Sequence, residues 1–258
     1  MGVVVRKTIR GAAEVLLTIG LIGLLLCVHQ LYWTNIEARA DADAALERLD
    51  EKWEKEDSSA ATGDAEPPPA LPADEAGGGP QDVGVDGHRD GTVVAGSNSV
   101  RGEVLAALYI PRLGSNYRKP IIEGSSLKSL AQGVGHYTYP PYVGPGQVGN
   151  FGLAGHRNGH GEPFRYLNKL RTGDEVVVET GGKWFTYTIL RGKYITKPGN
   201  GSVLTAQPPQ LNVGPGEHLI TLTTCDPEFT SRNRMVYWGK LTATDDKRDG
   251  FKPAALSR

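Results

Sequence analysis

Residues 15–33, VLLTIGLIGLLLCVHQLYW, constrain this chain more than any other stretch, because they form an almost uninterrupted apolar run. A helix crossing a bilayer needs about 20 such residues. Arg6, Lys7 and Arg10 precede the run, and Tyr32 and Trp33 close it in the place of interfacial aromatics. Positive charge on the leading side puts the N-terminus in the cytoplasm and everything beyond Trp33 outside. The competing reading is a cleaved signal peptide. An Ala-x-Ala-like site exists at Ala38-Arg39-Ala40, but it lies well past the run, which is also long for a signal core. The expectation is a cytoplasmic tail over 1–11, an uncleaved signal anchor over 12–33 and an extracytoplasmic remainder. Cys27 is then an apolar filler of the span, with lipidation the weaker reading.

Charge divides the remainder. Residues 34–102 carry a balance of −10 and residues 103–258 one of +7, as expected of two parts with different jobs. Residues 34–57 are rich in Ala, Leu, Glu and Lys and suit a short charged helix. From Ser58 to about Arg101 the chain turns to Gly, Pro, Ala, Ser and Asp, a composition that buries too little apolar surface to offset its ordering entropy. The expectation for 34–102 is an acidic, largely disordered tether, stiffened at EPPPALP.

From Glu103 the pattern becomes short strands with Gly and Pro punctuation: 103–111, 119–124, 147–155, 174–180, 183–195, 217–225 and 234–244. Gly181-Gly182 marks a tight hairpin between two of them. A short helix fits around 126–132 and a further turn around 163–170. Many short strands with little helix predict a closed or nearly closed β-barrel over 103–246, with 247–258 as a C-terminal tail.

Cys27 and Cys225 are the only cysteines, and a disulfide between a membrane span and an exported domain is implausible. An unpaired thiol outside the cell is a reactive group or a partner for another chain, although cysteine is also among the most buried residue types. Cys225 closes the strand EHLITLTTC, sharing a face with Leu219, Thr221 and Thr223. His156 likewise closes a strand and opens the loop RNGHGEPF. The His156-x3-His160 spacing invites a metal reading, but a zinc pair at that spacing wants a helix, which Gly155, Gly159 and Gly161 oppose. The acids Asp174, Glu175 and Glu179 form no calcium-loop motif. A Cys and a His on neighbouring strand ends suit nucleophilic catalysis, with imidazole moving the proton of the thiol. Acyl transfer also needs a group for the developing oxyanion. Arg232 and Arg234, just before the next strand, are the candidates, unless both are simple surface charges.

TLTTC with an arginine nine residues on, preceded by NFGLAGHRNGHGEPFRYLNKLRTGD, resembles the sortase family of bacterial cysteine transpeptidases over roughly 103–246. The resemblance implies an all-β-dominated, closed eight-stranded barrel with short helices, preceded by one transmembrane helix and a disordered tether. By position it makes Cys225 the nucleophile, His156 the general acid/base and Arg234 the holder of the substrate carbonyl, with Arg232 as the fallback. Thr223 and Thr224 are implied to line the peptide groove, and strand alternation favours Thr223 as the one facing the thiol. GVGHYTYPPYVGPGQVGNF is most similar to class E of high-GC Gram-positive bacteria, which implies a Leu-Ala-x-Thr-Gly-like sorting signal on secreted proteins, read in part by Tyr137 or Tyr139. The acceptor implied is a peptidoglycan-precursor or pilin amine; no cofactor, metal or nucleic acid is expected. The C-terminal FKPAALSR holds no second apolar run of the kind usual in pilin-polymerising class C members. Lys197 to Gln210 departs from the family by being glycine-rich where the substrate loop is expected.

Three other readings remain. A peptidoglycan L,D-transpeptidase wants a Ser-x-Gly-Cys box, which TLTTCDP does not match. Papain-like peptidases place Cys before His, the reverse of the order here, so an exported cysteine peptidase would have to be of another kind. A non-enzymatic, membrane-anchored envelope-binding module would leave Cys225 dispensable.

Overall fold

The computed structural model describes residues 2–62, 102–138, 142–248 and 250–257. Two parts make it up: one long helix, α1 (Gly2–Thr62), and a closed barrel. The strands are β1 (Val104–Tyr109), β2 (Arg118–Glu123), β3 (Val134–His136), β4 (Gly149–Ala154), β5 (Glu175–Glu179), β6 (Lys183–Thr196), β7 (His218–Asp226) and β8 (Asn233–Asp246). Their order around the barrel is β1-β2-β3-β4-β7-β8-β6-β5, closing back on β1.

Alternation builds the interior. Phe151 and Leu153 on β4, Ile220 and Leu222 on β7, and Met235 and Tyr237 on β8 all turn into one core with Ala106, Leu108, Val176 and Val178. The hairpin expected at Gly181-Gly182 joins β5 to β6, whose register runs from Glu179↔Trp184 to Glu175↔Thr188. The helix expected near 126–132 is α2 (Leu127–Gln132), capped by Ser126, whose Oγ accepts from the Ser129 N–H at 3.1 Å. It carries the chain from β2 to the parallel β3.

Strand β3 was not foreseen. It has three residues and a central glycine, too short to show alternation. Gly135 is there because a Cβ would sit 2.7 Å from the Gly124 carbonyl oxygen and 2.9 Å from Leu130 Cδ2.

Within α1, Thr8–His29 is long and apolar enough to cross a membrane, with mean hydropathy 2.3 and none of it buried. The charged helix expected over 34–57 is the continuation of α1, but it does not stand free as a tether. Ala38, Ala42, Ala45, Leu46, Leu49 and Trp53 fall on one helical face, at steps of four, three, one, three and four residues, and are all buried. Leu46, Leu49 and Trp53 pack on Ala107, Val104 and Tyr109 of β1. Arg118 on β2 donates to both Asp50 carboxylate oxygens, at 2.6 and 2.7 Å, and Lys52 reaches Glu103 at 2.9 Å. Helix persists through Thr62, so the first residues of the stretch expected as disordered are ordered; residues 63–101 of the tether lie outside the described residues. The C-terminal tail also joins the body. Ala255 is buried against Val177 and Trp184, and Lys247 lies 4.0 Å from the Trp53 ring centroid.

Candidate active site

Strand β7 lies between β4 and β8, and this order assembles the site. On one side β7 and β8 are antiparallel with Cys225 opposite Arg234 and Asp226 opposite Asn233. Directly opposed residues lie about 4.5–5.5 Å apart at Cα. On the other side β4 and β7 are parallel with Ala154 opposite Thr223, and Gly155 N–H donates to the Thr223 carbonyl at 3.0 Å. Continuing that register by two residues sets His156 level with Cys225. Three neighbouring strand ends therefore present His156, Cys225 and Arg234 in one row.

Local packing fixes each end. β4 stops at Gly155, where a Cβ would lie 2.6 Å from the buried Phe164 ring; the chain returns so that Phe164 N–H donates to the His156 carbonyl at 3.0 Å. Beyond Cys225, Asp226 accepts from Arg157 Nη1 at 2.5 Å, and the same nitrogen donates to the Cys225 carbonyl at 3.3 Å. The Arg157 side chain is only 8% exposed. Phe229 N–H donates to Asn158 Oδ1 at 2.6 Å, tying the turn after Cys225 to the loop after His156. Arg234 Nη1 donates to the Ser231 and Asn233 carbonyls at 3.0 and 3.2 Å, folding the guanidinium over the turn it follows. Arg232 lies within that turn, exposed.

On the outer face of these strands Thr221 and Thr223 of β7 are buried. Tyr137, just past β3, places its hydroxyl 3.0 Å from Thr223 Oγ1, and Thr223 also donates to the Leu153 carbonyl at 3.1 Å. Thr224, expected beside Thr223 along the groove, instead faces the barrel interior, its hydroxyl donating to the Gly155 carbonyl at 2.7 Å. Pleat alternation accounts for the split. Tyr139 lies outside the described residues. Residues 197–211 roof this outer face, with Val203, Leu204 and Leu211 packed on Val236 and Trp238, and contain a short 3-10 turn, Gly201–Leu204. That roof is pinned: Trp238 Nε1 donates to the Val203 carbonyl at 2.9 Å, and Asn150 Nδ2 reaches the Thr205 carbonyl at 3.0 Å. Leu204 rides over Gly152, where a Cβ would come within 2.9 Å of it and 3.1 Å of Tyr137.

Electrostatics couple the same groups. Burial pushes the His156 imidazole below the ordinary histidine value, and His160, tilted against it with ring centroids 4.8 Å apart, pushes the same way. Burial raises the Tyr137 phenol; its Thr223 hydrogen bond and the Arg234 charge oppose this, and Cys225 adds to it. Among the described residues no group of three His, Cys, Asp or Glu side chains is placed to hold a metal ion.

Sequence reasoning did not single out Arg157 or Asn158. A basic and an amide residue directly after a strand-end His were a visible signal, but their partners, 68 to 71 residues away, were not. It also passed over His136, which is fully buried, with Nδ1 3.3 Å from the Glu123 carboxylate and Nε2 3.0 Å from the Val143 carbonyl.

A sequence model of the sortase domain matches residues 108–242. Among curated proteins the chain is 40% identical over 253 residues to sortase SrtE1 of Streptomyces coelicolor, covering 96% of this chain and 60% of that protein's length. Sortase SrtE2 of the same organism is 32% identical, over 96% of this chain and 87% of that protein. Among solved structures, sortase E1 from Streptomyces coelicolor with a tripeptide in its active site is 48% identical with a TM-score of 0.55, covering 60% of this chain and 97% of that one.

Proposed function

The chain belongs to the sortase family of cysteine transpeptidases, with class E proteins among its relatives, and from that premise we propose that it cleaves a Leu-Ala-x-Thr-Gly-like sorting signal between Thr and Gly and joins the new end to an amine. The observation that carries this reading is the row of His156, Cys225 and Arg234 on three adjacent strand ends.

In this reading the signal peptide binds extended at the Cys225 end of β7, with Thr223 and the Tyr137 hydroxyl beneath it. The Cys225 sulfur, its proton taken by His156, attacks the Thr carbonyl carbon. Electrons move onto the carbonyl oxygen, where the Arg234 guanidinium meets the developing charge. Collapse breaks the C–N bond to Gly, and His156 gives the proton to the departing amine. An acceptor amine then attacks the thioester carbonyl and passes its proton to His156, which hands it to the departing Cys225 sulfur, restoring the thiol and the neutral imidazole. The lowered proton affinity of His156 keeps its imidazole neutral near pH 7 and ready to accept. Thr8–His29 would anchor the enzyme in the membrane with the barrel outside the cell, where client proteins and a peptidoglycan-precursor or pilin amine are met.

Substituting Cys225→Ala tests the assignment. Cleavage of a Leu-Ala-x-Thr-Gly peptide is expected to vanish while the fold and thermal transition are kept. Cleavage at the wild-type rate by that variant would overturn the nucleophile assignment.

A further inference from the structure

The loop after His156 is held in an unusual backbone conformation. Four successive residues have positive φ: Gly159 at 72°, His160 at 50°, Gly161 at 73° and Glu162 at 54°. For the two non-glycine residues this costs of order 1–2 kcal/mol each. Part of the compensation is internal. Glu162 N–H donates to the Gly159 carbonyl at 3.0 Å, Gly159 N–H to Glu162 Oε1 at 3.3 Å, and Arg165 Nη1 reaches both Glu162 carboxylate oxygens at 2.7 Å.

The other part comes from α1. Gly161 N–H donates to Asn35 Oδ1 at 3.1 Å, across 126 residues of sequence. A Cβ on Gly161 would stand 3.6 Å from Arg39 Cγ and 3.7 Å from Ala38, so the loop lies flat on that turn of the helix. Asn35 lies between two other features of α1. Three residues later begins the buried face that docks α1 on the barrel. Six residues earlier ends the membrane-crossing candidate at His29, about 9 Å back along the helix axis.

We infer that residues 35–39 of α1 are a positioning element of the active site, with Asn35 holding the left-handed turn that sets His160 against His156. The inference rests on the transpeptidase reading, in which His156 moves protons. Loss of the Asn35 acceptor leaves the Gly161 N–H without its partner and the strained turn with one tie fewer. The turn then relaxes, and His160 leaves the His156 ring it lies against. The helix that enters the membrane is thus a working part of the catalytic body, and it sets the histidine loop close to the membrane surface.

The test uses the full chain in detergent micelles with Asn35→Ala and Asn35→Asp. A carboxylate still accepts from Gly161 N–H, and a methyl group does not. Peptide cleavage gives kcat and KM separately, and amide hydrogen exchange reads the loop without any turnover. Expected for Asn35→Ala are a kcat lowered about tenfold, a KM within about twofold of wild type and Gly161 exchange at least about tenfold faster, a tenfold change corresponding to roughly one lost hydrogen bond. Asn35→Asp is expected to restore both readouts. Wild-type protection of the loop amides in Asn35→Ala would overturn the inference, as would an Asp variant no better than Ala. A wild-type chain that protects the loop as expected but cleaves no peptide would count against the transpeptidase reading alone.

Discussion

Replacing Arg157 with alanine removes a buried charge from beneath the proposed nucleophile. Its guanidinium donates to the Cys225 carbonyl at 3.3 Å and to Asp226 at 2.5 Å, and Glu228 lies 3.9 Å away. In Arg157→Ala the Asp226 carboxylate, 13% exposed, keeps only the more distant Lys193 ammonium at 3.7 Å among these cations. A hydrogen bond to a charged group is worth about 1.5–3 kcal/mol, and removing one partner of a buried pair costs about 3–5 kcal/mol. The two figures count the same contacts, so a loss of about 3–4 kcal/mol is expected. With a urea slope of about 2 kcal/mol/M, the unfolding midpoint should fall by about 1.5–2 M. The kinetic effect follows from position: Arg157 braces the carbonyl of Cys225 itself, and a nucleophile displaced by about 1 Å loses on the order of 100-fold in rate. Arg157→Lys keeps a charge but not the fork and should fall between wild type and alanine. The assays are urea unfolding and peptide cleavage at a temperature where both variants stay folded. A midpoint within about 0.3 M of wild type would refute the energetic reasoning. A lowered midpoint with unchanged kcat/KM would show that the pair braces the fold without bracing Cys225.

Arg234→Lys should lose about 100-fold or more in kcat/KM, because one ammonium cannot reproduce a forked donor array. Arg232→Lys should stay near wild type, and the reverse ranking would move the assignment to Arg232. The depressed proton affinity of His156 means that below its ordinary value of 6.5 the unfolded chain binds the proton first, so stability falls as pH drops through that window. His156→Gln should flatten this acid loss in urea midpoints compared at pH 5 and pH 7.5; parallel losses in both proteins would contradict it. Gly146→Ala should cost about 2 kcal/mol or more, because its Cβ would enter the Phe185 ring at a position with φ of 73°. Tyr137→Phe should change stability by less than about 1.5 kcal/mol, since Thr223 keeps its Leu153 partner, while raising the peptide KM. An unchanged KM would remove Tyr137 from the peptide groove.

How much of this was legible in the sequence follows from the range of each interaction. Seven strands announce themselves by alternation and by Gly-Gly, Gly-Pro or Pro punctuation, all local signals. Strand β3 does not, because three residues around a crowded glycine carry no period. The row of His156, Cys225 and Arg234 is implied by three strand-end positions, but its register comes from β4 lying beside β7, a pairing of residues nearly 70 apart. Thr223 and Thr224 could be separated by alternation alone, and the structure puts only Thr223 on the outer face, beside Tyr137. The apolar face from Ala38 to Trp53 was present as a helical period but was masked by the acids, arginines and Lys52 between its members. Its docking on β1 depends on the barrel it meets, and so does the reach of Asn35 to Gly161.

Intact-protein mass spectrometry of the full chain, mixed with a Leu-Ala-x-Thr-Gly peptide in the absence of an acceptor amine, tests the central claim most directly. The expected product is a mass increase equal to the peptide fragment ending at Thr, mapped to Cys225 and absent in Cys225→Ala. Peptide cleavage with no such adduct, or an adduct that persists in Cys225→Ala, would contradict it.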